Sequence, residues 1–393
     1  MSTMLPQERV ATASMSAVYA FRMLGLFMVL PVLSLHVTDI EQATPFLIGT
    51  ALGAYGLTQA LLQIPFGMLS DRFGRKPVIF TGLCLLILGS LIAAFAPNVY
   101  WLILGRALQG AGAVGAVLLA LLSDLTRDAV RTKAMAAVGI SIGAAFSLAM
   151  LVGPIIDAAF GLRAIFLLSA VLGAAGIVMV SKGVKAPPLS QQSSERATTG
   201  ILTILKDKVL LRLSLSIACL HATLTILFLQ LPWQIRGYFD EGSVNLWQLY
   251  LPVMFIAVLF LRPLLKTTQQ IERSPQVMRL AIVGLVVAEL FIGLGSRLWV
   301  LLLGMLVFFT LFNLLEAMLP SLVSRLVPPQ SKGAALGIYS TSQFFGVFLG
   351  GTIGGLLFQH YEGMGVLAGC IACALLWQLG LTGWKISPNI SRG

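Results

Sequence analysis

Charge is what this 393-residue sequence has least of. Asp, Glu, Lys and Arg together make up 10% of it, against roughly a quarter in a soluble domain. That scarcity excludes an ordinary soluble protein, because too few charges remain to cover a surface and the apolar runs reach membrane length. Histidine and cysteine are scarce too, at three and four residues. His36, His221 and His360 have no ligand spacing, and no nucleophile stands beside a base, so an enzyme is not expected. Cys84, Cys219, Cys370 and Cys373 all lie in apolar runs. The Cys370–Cys373 pair reads as CxxC, but it has no βα context and no basic neighbour to make a thiolate, so it reads as small packing residues. No cofactor is expected. A cleavable signal peptide is also missing: the polar tail before Ser16 is short, and the first apolar run continues as a spanning helix.

What is present is apolar: 58% of the residues are hydrophobic and the mean hydropathy is +0.92. The runs predict twelve spanning helices, at about 16–37, 47–69, 77–96, 99–122, 133–157, 163–182, 209–232, 244–265, 276–295, 299–322, 332–357 and 364–385. The net charge of +11 invites a polyanion partner. Its distribution argues against nucleic acid. If the first helix starts in the cytoplasm, all but five of the 26 Lys and Arg fall at cytoplasmic loops, tails or helix ends. Arg163, Arg236 and Arg297 fall outside, and Arg22 and Arg106 lie within helices. Positive charge gathers on the cytoplasmic side of membrane proteins, so both termini are expected there, in a bacterial inner membrane.

The segment 183–208 is polar and rich in breakers, and it divides the helices six and six. The expected organisation is an all-α membrane protein: an N-terminal six-helix bundle over 1–182, a cytoplasmic linker over 183–208 and a C-terminal six-helix bundle over 209–393. An internal repeat supports the division. An offset of 198 pairs Gly153 with Gly351, Ala137 with Ala335, Gly139 with Gly337, Ile140 with Ile338, Phe146 with Phe344 and Ile155 with Ile353. It lays the fifth span on the eleventh, so the halves are parallel repeats.

Four charges stand in one tight turn, Gly67-Met68-Leu69-Ser70-Asp71-Arg72-Phe73-Gly74-Arg75-Lys76, between two long uncharged runs. This matches the cytoplasmic signature G-x-L-x-D-R-x-G-R-K of the major facilitator superfamily at every specified position. Leu104 to Gly115 resembles that superfamily's second motif, with Arg106 and Gly110 in place. Gly110, Gly112 and Gly115 also spell GxGxxG, but no strand precedes them, so a dinucleotide site is excluded. Gly153-Pro154 matches the centre of the antiporter motif g-x-x-x-G-P-x-x-G-G, although Asp157-Ala158 replaces its closing glycines. Asp157 reads as a charge at the outer end of the fifth span. With Arg22–Pro31, Ala120–Arg127, Arg131–Met135, Asn313–Ser321 and Gly337–Phe344, nearly the whole chain resembles the YajR-like branch of the twelve-helix bacterial drug/proton antiporters. Typical members carry a soluble C-terminal domain that is not seen after the last span here.

The resemblance implies a secondary transporter of small amphipathic compounds that works as a monomer in the lipid bilayer and exchanges substrate for protons by alternating access. A symporter of a sugar or other metabolite is the alternative. It also implies that Asp71 meets the start of the eleventh span and locks the halves on the cytoplasmic side. Helix starts carry partial positive charge. Gly67 and Gly74 would permit close approach, and Arg75 would pair with Asp124. Titratable groups within apolar spans face the bundle interior, which leaves Arg22, Arg106, His221, Glu289 and Glu316. Glu316, with Arg22 and His221 as partners, is the expected proton site. Gly110, Gly153 and Pro154 are expected to shape helix packing.

Overall fold

The computed structural model describes residues 3–184, 206–239, 245–268, 270–327 and 331–386, with backbone alone at 266, 267 and 332. All but its ends of the expected linker over 183–208 lies outside the described residues. Among those residues every regular element is helical: α1 (Pro6–Phe27), a 3-10 turn (Leu33–His36), α2 (Pro45–Phe73), α3 (Arg75–Ala94), α4 (Val99–Ala111), α5 (Gly115–Asp124), α6 (Asp128–Phe160), α7 (Leu162–Gly183), α8 (Lys208–Arg236), α9 (Leu246–Thr267), a 3-10 turn (Ile271–Arg273), α10 (Ser274–Leu294), α11 (Leu298–Leu326) and α12 (Lys332–Gly380). Helices satisfy their own backbone groups, which lipid cannot do, and this is why apolar runs adopt them. Among the described residues eleven helical stretches are long and apolar enough to cross a membrane, counting α4 with α5 as one.

The chain divides into two compact units. Unit 1 holds Met1–Ala43 and Ala54–Thr199; unit 2 holds Thr44–Gly53 and Gly200–Gly393, so the first turns of α2 group with the second. In unit 1, α1 packs on α6 and α7, and α3 packs on α4 and α7. In unit 2, α8 packs on α12 and α11, α9 packs on α11, and α10 packs on α11 and α12.

Burial departs from that of a soluble protein. Arg22 and Arg106 are each 1% exposed, while Leu280 is 73% exposed. Exposed apolar side chains recur along the outer faces of α3, α6, α9 and α12 (Leu88, Ile140, Phe255, Leu379). Exposed apolar side chains together with buried charge suit lipid as the solvent.

Two of the expected spans depart in their boundaries. The first helix starts at Pro6, ten residues early, because Pro6 takes the first helical position and the Glu8 carboxylate accepts from Leu5 N at 2.7 Å. It stops at Phe27, and the chain turns through Met28–Val32. Pro31 lies in that turn and has no N–H for another helical bond. The expected fourth span is two helices, broken across Gly112–Val114. The break between the expected eleventh and twelfth spans falls where it was expected: Glu362, at φ 50°, ψ −136°, interrupts α12 in the gap between 357 and 364.

Candidate functional site

The charged turn sits where α2 gives way to α3. Gly74 takes φ +92° there, a conformation that strains any residue with a Cβ. The turn sets Arg75 at the start of α3, from which its guanidinium reaches three groups. Nη1 donates to Asp71 Oδ1 at 2.5 Å and to Ser70 Oγ at 2.6 Å, and Nε donates to Asp124 Oδ2 at 3.2 Å. One side chain thus ties the ends of α2, α3 and α5. Arg72 leans over the Phe73 ring, 5.3 Å from its centroid. Lys76 is partly covered. A methyl group at Gly67 would meet nothing within 4 Å, so no close approach calls for glycine at that position.

Deeper in unit 1 lie the two buried arginines. Arg22, on α1, donates through Nη2 to Gln59 Oε1 at 3.1 Å and to the Gly112 carbonyl at 3.0 Å. That carbonyl lies at the break between α4 and α5 and also accepts from Val114 N at 2.8 Å. Gln59 passes the chain on, its Nε2 donating to Gln63 Oε1 at 3.3 Å. Among the described residues Arg22 Nε and Nη1 have no partner. Arg106, on α4, donates to Gln109 Oε1 at 2.9 Å and stacks over the Tyr55 ring at 4.9 Å, and Gln109 Nε2 donates to Ser90 Oγ at 2.8 Å. Amides and an aromatic face therefore surround these cations, where a carboxylate was the simpler expectation. Gly110 lets α4 approach α2: a Cβ there would lie 2.1 Å from the Tyr55 carbonyl oxygen.

Unit 2 gathers His221 from α8, Glu316 from α11 and Gln343 from α12. Gln343 Nε2 lies 2.8 Å from His221 Nε2 and donates to Glu316 Oε1 at 3.4 Å. His221 Nε2 is also 3.8 Å from Glu316 Oε2. An amide N–H can only donate, so His221 Nε2 accepts, and the ring proton sits on Nδ1, 3.3 Å from the Ile217 carbonyl. The Glu316 side chain is 26% exposed, yet Oε2 itself is covered and unpartnered, as are Asn313 Nδ2 and Tyr339 Oη. Glu289, on α10, is buried, and its Oε2 has no partner among the described residues.

The antiporter-motif helix holds the largest departure from expectation. Gly153 abuts the end of α1, where a Cβ would lie 2.4 Å from the Met28 carbonyl oxygen. Pro154 lies inside α6, which continues to Phe160. One turn further on, Asp157 is not a plain end charge. Its side chain is 9% exposed, and its Oδ1 lies 2.8 Å from His36 Nε2.

Sequence reasoning missed Gln59, Gln63, Gln343 and His36. The signal was available for the amides, since each Gln is a strong hydrogen-bonding group inside an apolar run. His36 carried no such signal, because its partner lies 121 residues away. Among the described residues no group of His, Cys, Asp and Glu is arranged to hold a metal ion.

The family model described as Major Facilitator Superfamily matches residues 15–271. The chain is 42% identical over 393 residues to the inner membrane transport protein YajR of Escherichia coli (strain K12), covering 99% of this chain and 86% of that one. It is 35% identical over 138 residues to the tetracycline resistance protein, class B, of Escherichia coli, covering 34% of this chain and 33% of that one. The solved D-xylose-proton symporter superposes with a TM-score of 0.73 at 16% identity over 96% of this chain and 99% of that one, a likeness of fold alone. The chain belongs to the major facilitator superfamily, and is a membrane transporter rather than an enzyme.

Proposed function

We propose that the chain exports small amphipathic compounds in exchange for protons, by alternating access, as a monomer in a bacterial inner membrane. The reading counts twelve spans, with α4 and α5 as one and α12 as two divided at Glu362. It places six spans in 1–182, six in 209–393 and both termini in the cytoplasm, in accord with the basic loops. The Glu316–Gln343–His221 group carries it. A carboxylate with a covered, unpartnered oxygen beside a neutral imidazole can take up a proton and release it as its surroundings change. Protonated, Glu316 is neutral and tolerates apolar company. Ionised, it draws a proton onto His221 Nε2 or a cationic group of the substrate. Arg22, Arg106 and Glu289 are the remaining intramembrane charges and tune this exchange. The Asp71–Arg75–Asp124 turn is the cytoplasmic latch, with Asp71 meeting the start of α12 when the halves close there. Partial identity to a tetracycline resistance protein supports export of drug-like compounds.

Proteoliposomes with an imposed pH gradient test the reading, with tetracycline and the lipophilic dye ethidium as probes. Expected is substrate movement opposite to the proton flow, lost in Glu316→Gln. Substrate moving with the protons makes it a symporter. Full coupled flux in Glu316→Gln removes Glu316 from the mechanism.

A further inference from the structure

We propose that His36, Asp39 and Asp157 form a second proton-binding site, a clasp that joins the segment after α1 to the end of α6. Both ring nitrogens of His36 face carboxylate oxygens: Nδ1 lies 2.8 Å from Asp39 Oδ2, and Nε2 lies 2.8 Å from Asp157 Oδ1. A neutral imidazole has a single N–H and can serve only one of them. Two contacts of this length require a further proton, carried either as imidazolium or as a carboxylic acid. With that proton the trio has a net charge of −1; without it, a nitrogen lone pair faces an oxygen lone pair and one contact must open.

Placement decides what opening does. Asp39 shares the turn with His36, is 65% exposed and also accepts from Thr38 Oγ1 at 3.3 Å. Asp157 comes from another helix and is largely covered. The clasp closes one turn beyond Gly153-Pro154, where α6 touches the Met28 carbonyl and where Pro154 leaves the helix short of a backbone bond. The proton therefore decides whether the end of α6 is held to the connector past its weakest point. The other charged side chains at this end are Glu41, which is exposed, and Arg163, which lies 3.9 Å over the Phe95 ring. Neither touches the imidazole. Burial disfavours the charged ring, but hydrogen bonds and charge attraction from Asp157, then Asp39, outweigh it and raise the His36 pKa. The sign follows: the stabilisation is complete below the ordinary histidine value and is lost as pH rises through the raised one. Which compartment supplies the proton rests on the topology proposed above; the proton site itself does not.

Histidine-selective NMR in detergent tests the site without any transport. The chain has three histidines, and His36→Gln identifies the His36 signal. Its midpoint is expected above about 6.5 and to fall by at least a full pH unit in Asp157→Asn. Asp39→Asn, at an exposed position, gives a smaller fall and serves if Asp157→Asn does not fold. A midpoint at or below the ordinary histidine value, or one unmoved by both variants, overturns the proposal. Failure of export in liposomes with an intact titration would instead count against the proposed function.

Discussion

Arg75 links three helix ends with one planar group, and only arginine suits the position. Its Nη1 and Nε point at different partners, Asp71 with Ser70 on one side and Asp124 on the other. A lysine ammonium is one point charge on a flexible stem and cannot keep both sides. Asp124 is 40% exposed, so water screens its share. A double-mutant cycle on Arg75→Lys and Asp124→Asn, read by thermal melts in detergent, is expected to give a coupling of about 0.2–1 kcal/mol. The pairing was legible through the resemblance of the charged turn to the superfamily's signature, which implies an acidic partner at the end of the fourth span. The roles of Gln343 and Gln59 were not. Nothing in a linear order says which buried amide lies between which charges, and the His221–Gln343 bond spans 122 residues.

At the scale of the helix, close approach of backbones matters more than side-chain volume. A Cβ on Gly110 would overlap the Tyr55 carbonyl oxygen at 2.1 Å and Thr58 Oγ1 at 2.4 Å. Because Thr58 Oγ1 donates to the Ala107 carbonyl at 2.7 Å, this crossing is bonded as well as tight. Gly110→Ala is expected to cost about 1–3 kcal/mol through overpacking; a melting temperature equal to the parent's would show that the crossing relaxes freely. Hydropathy announced the presence of nearly every span and misplaced two boundaries for one reason. It measures affinity for lipid, and apolar residues in a broken or turned backbone have the same affinity as those in a helix. Pro31 after α1 and the glycines between α4 and α5 mark those places, and both lie inside continuous apolar runs.

Taken whole, the molecule is recognisable from the distribution of its charge, which is why composition alone located it in a membrane. The same distribution makes its outer surface intolerant of charge. Leu280, 73% exposed on α10, faces what would be hydrocarbon. Leu280→Arg is expected to lower membrane insertion, by about 2.5–3.5 kcal/mol if the site lies at the bilayer centre, while Leu280→Ala leaves yield near the parent's. Equal membrane yields for both variants would place that face elsewhere. The repeat was legible as well, since α6 packs on α1 as α12 packs on α8. Its two copies have nonetheless diverged. Ile140 is 74% exposed while its counterpart Ile338 is 8% exposed, so a matched residue need not keep a matched environment.

The hydrogen bond from Arg22 to the Gly112 carbonyl has a mechanical meaning. It fastens the last third of α1 to the gap between α4 and α5, at an oxygen that also accepts from Val114 N. If α1 tilts, either the fragments α4 and α5 tilt with it, or the Arg22 bond breaks and the oxygen keeps only Val114 N as its donor. The interruption thus couples the end of α1 to both fragments of the fourth span.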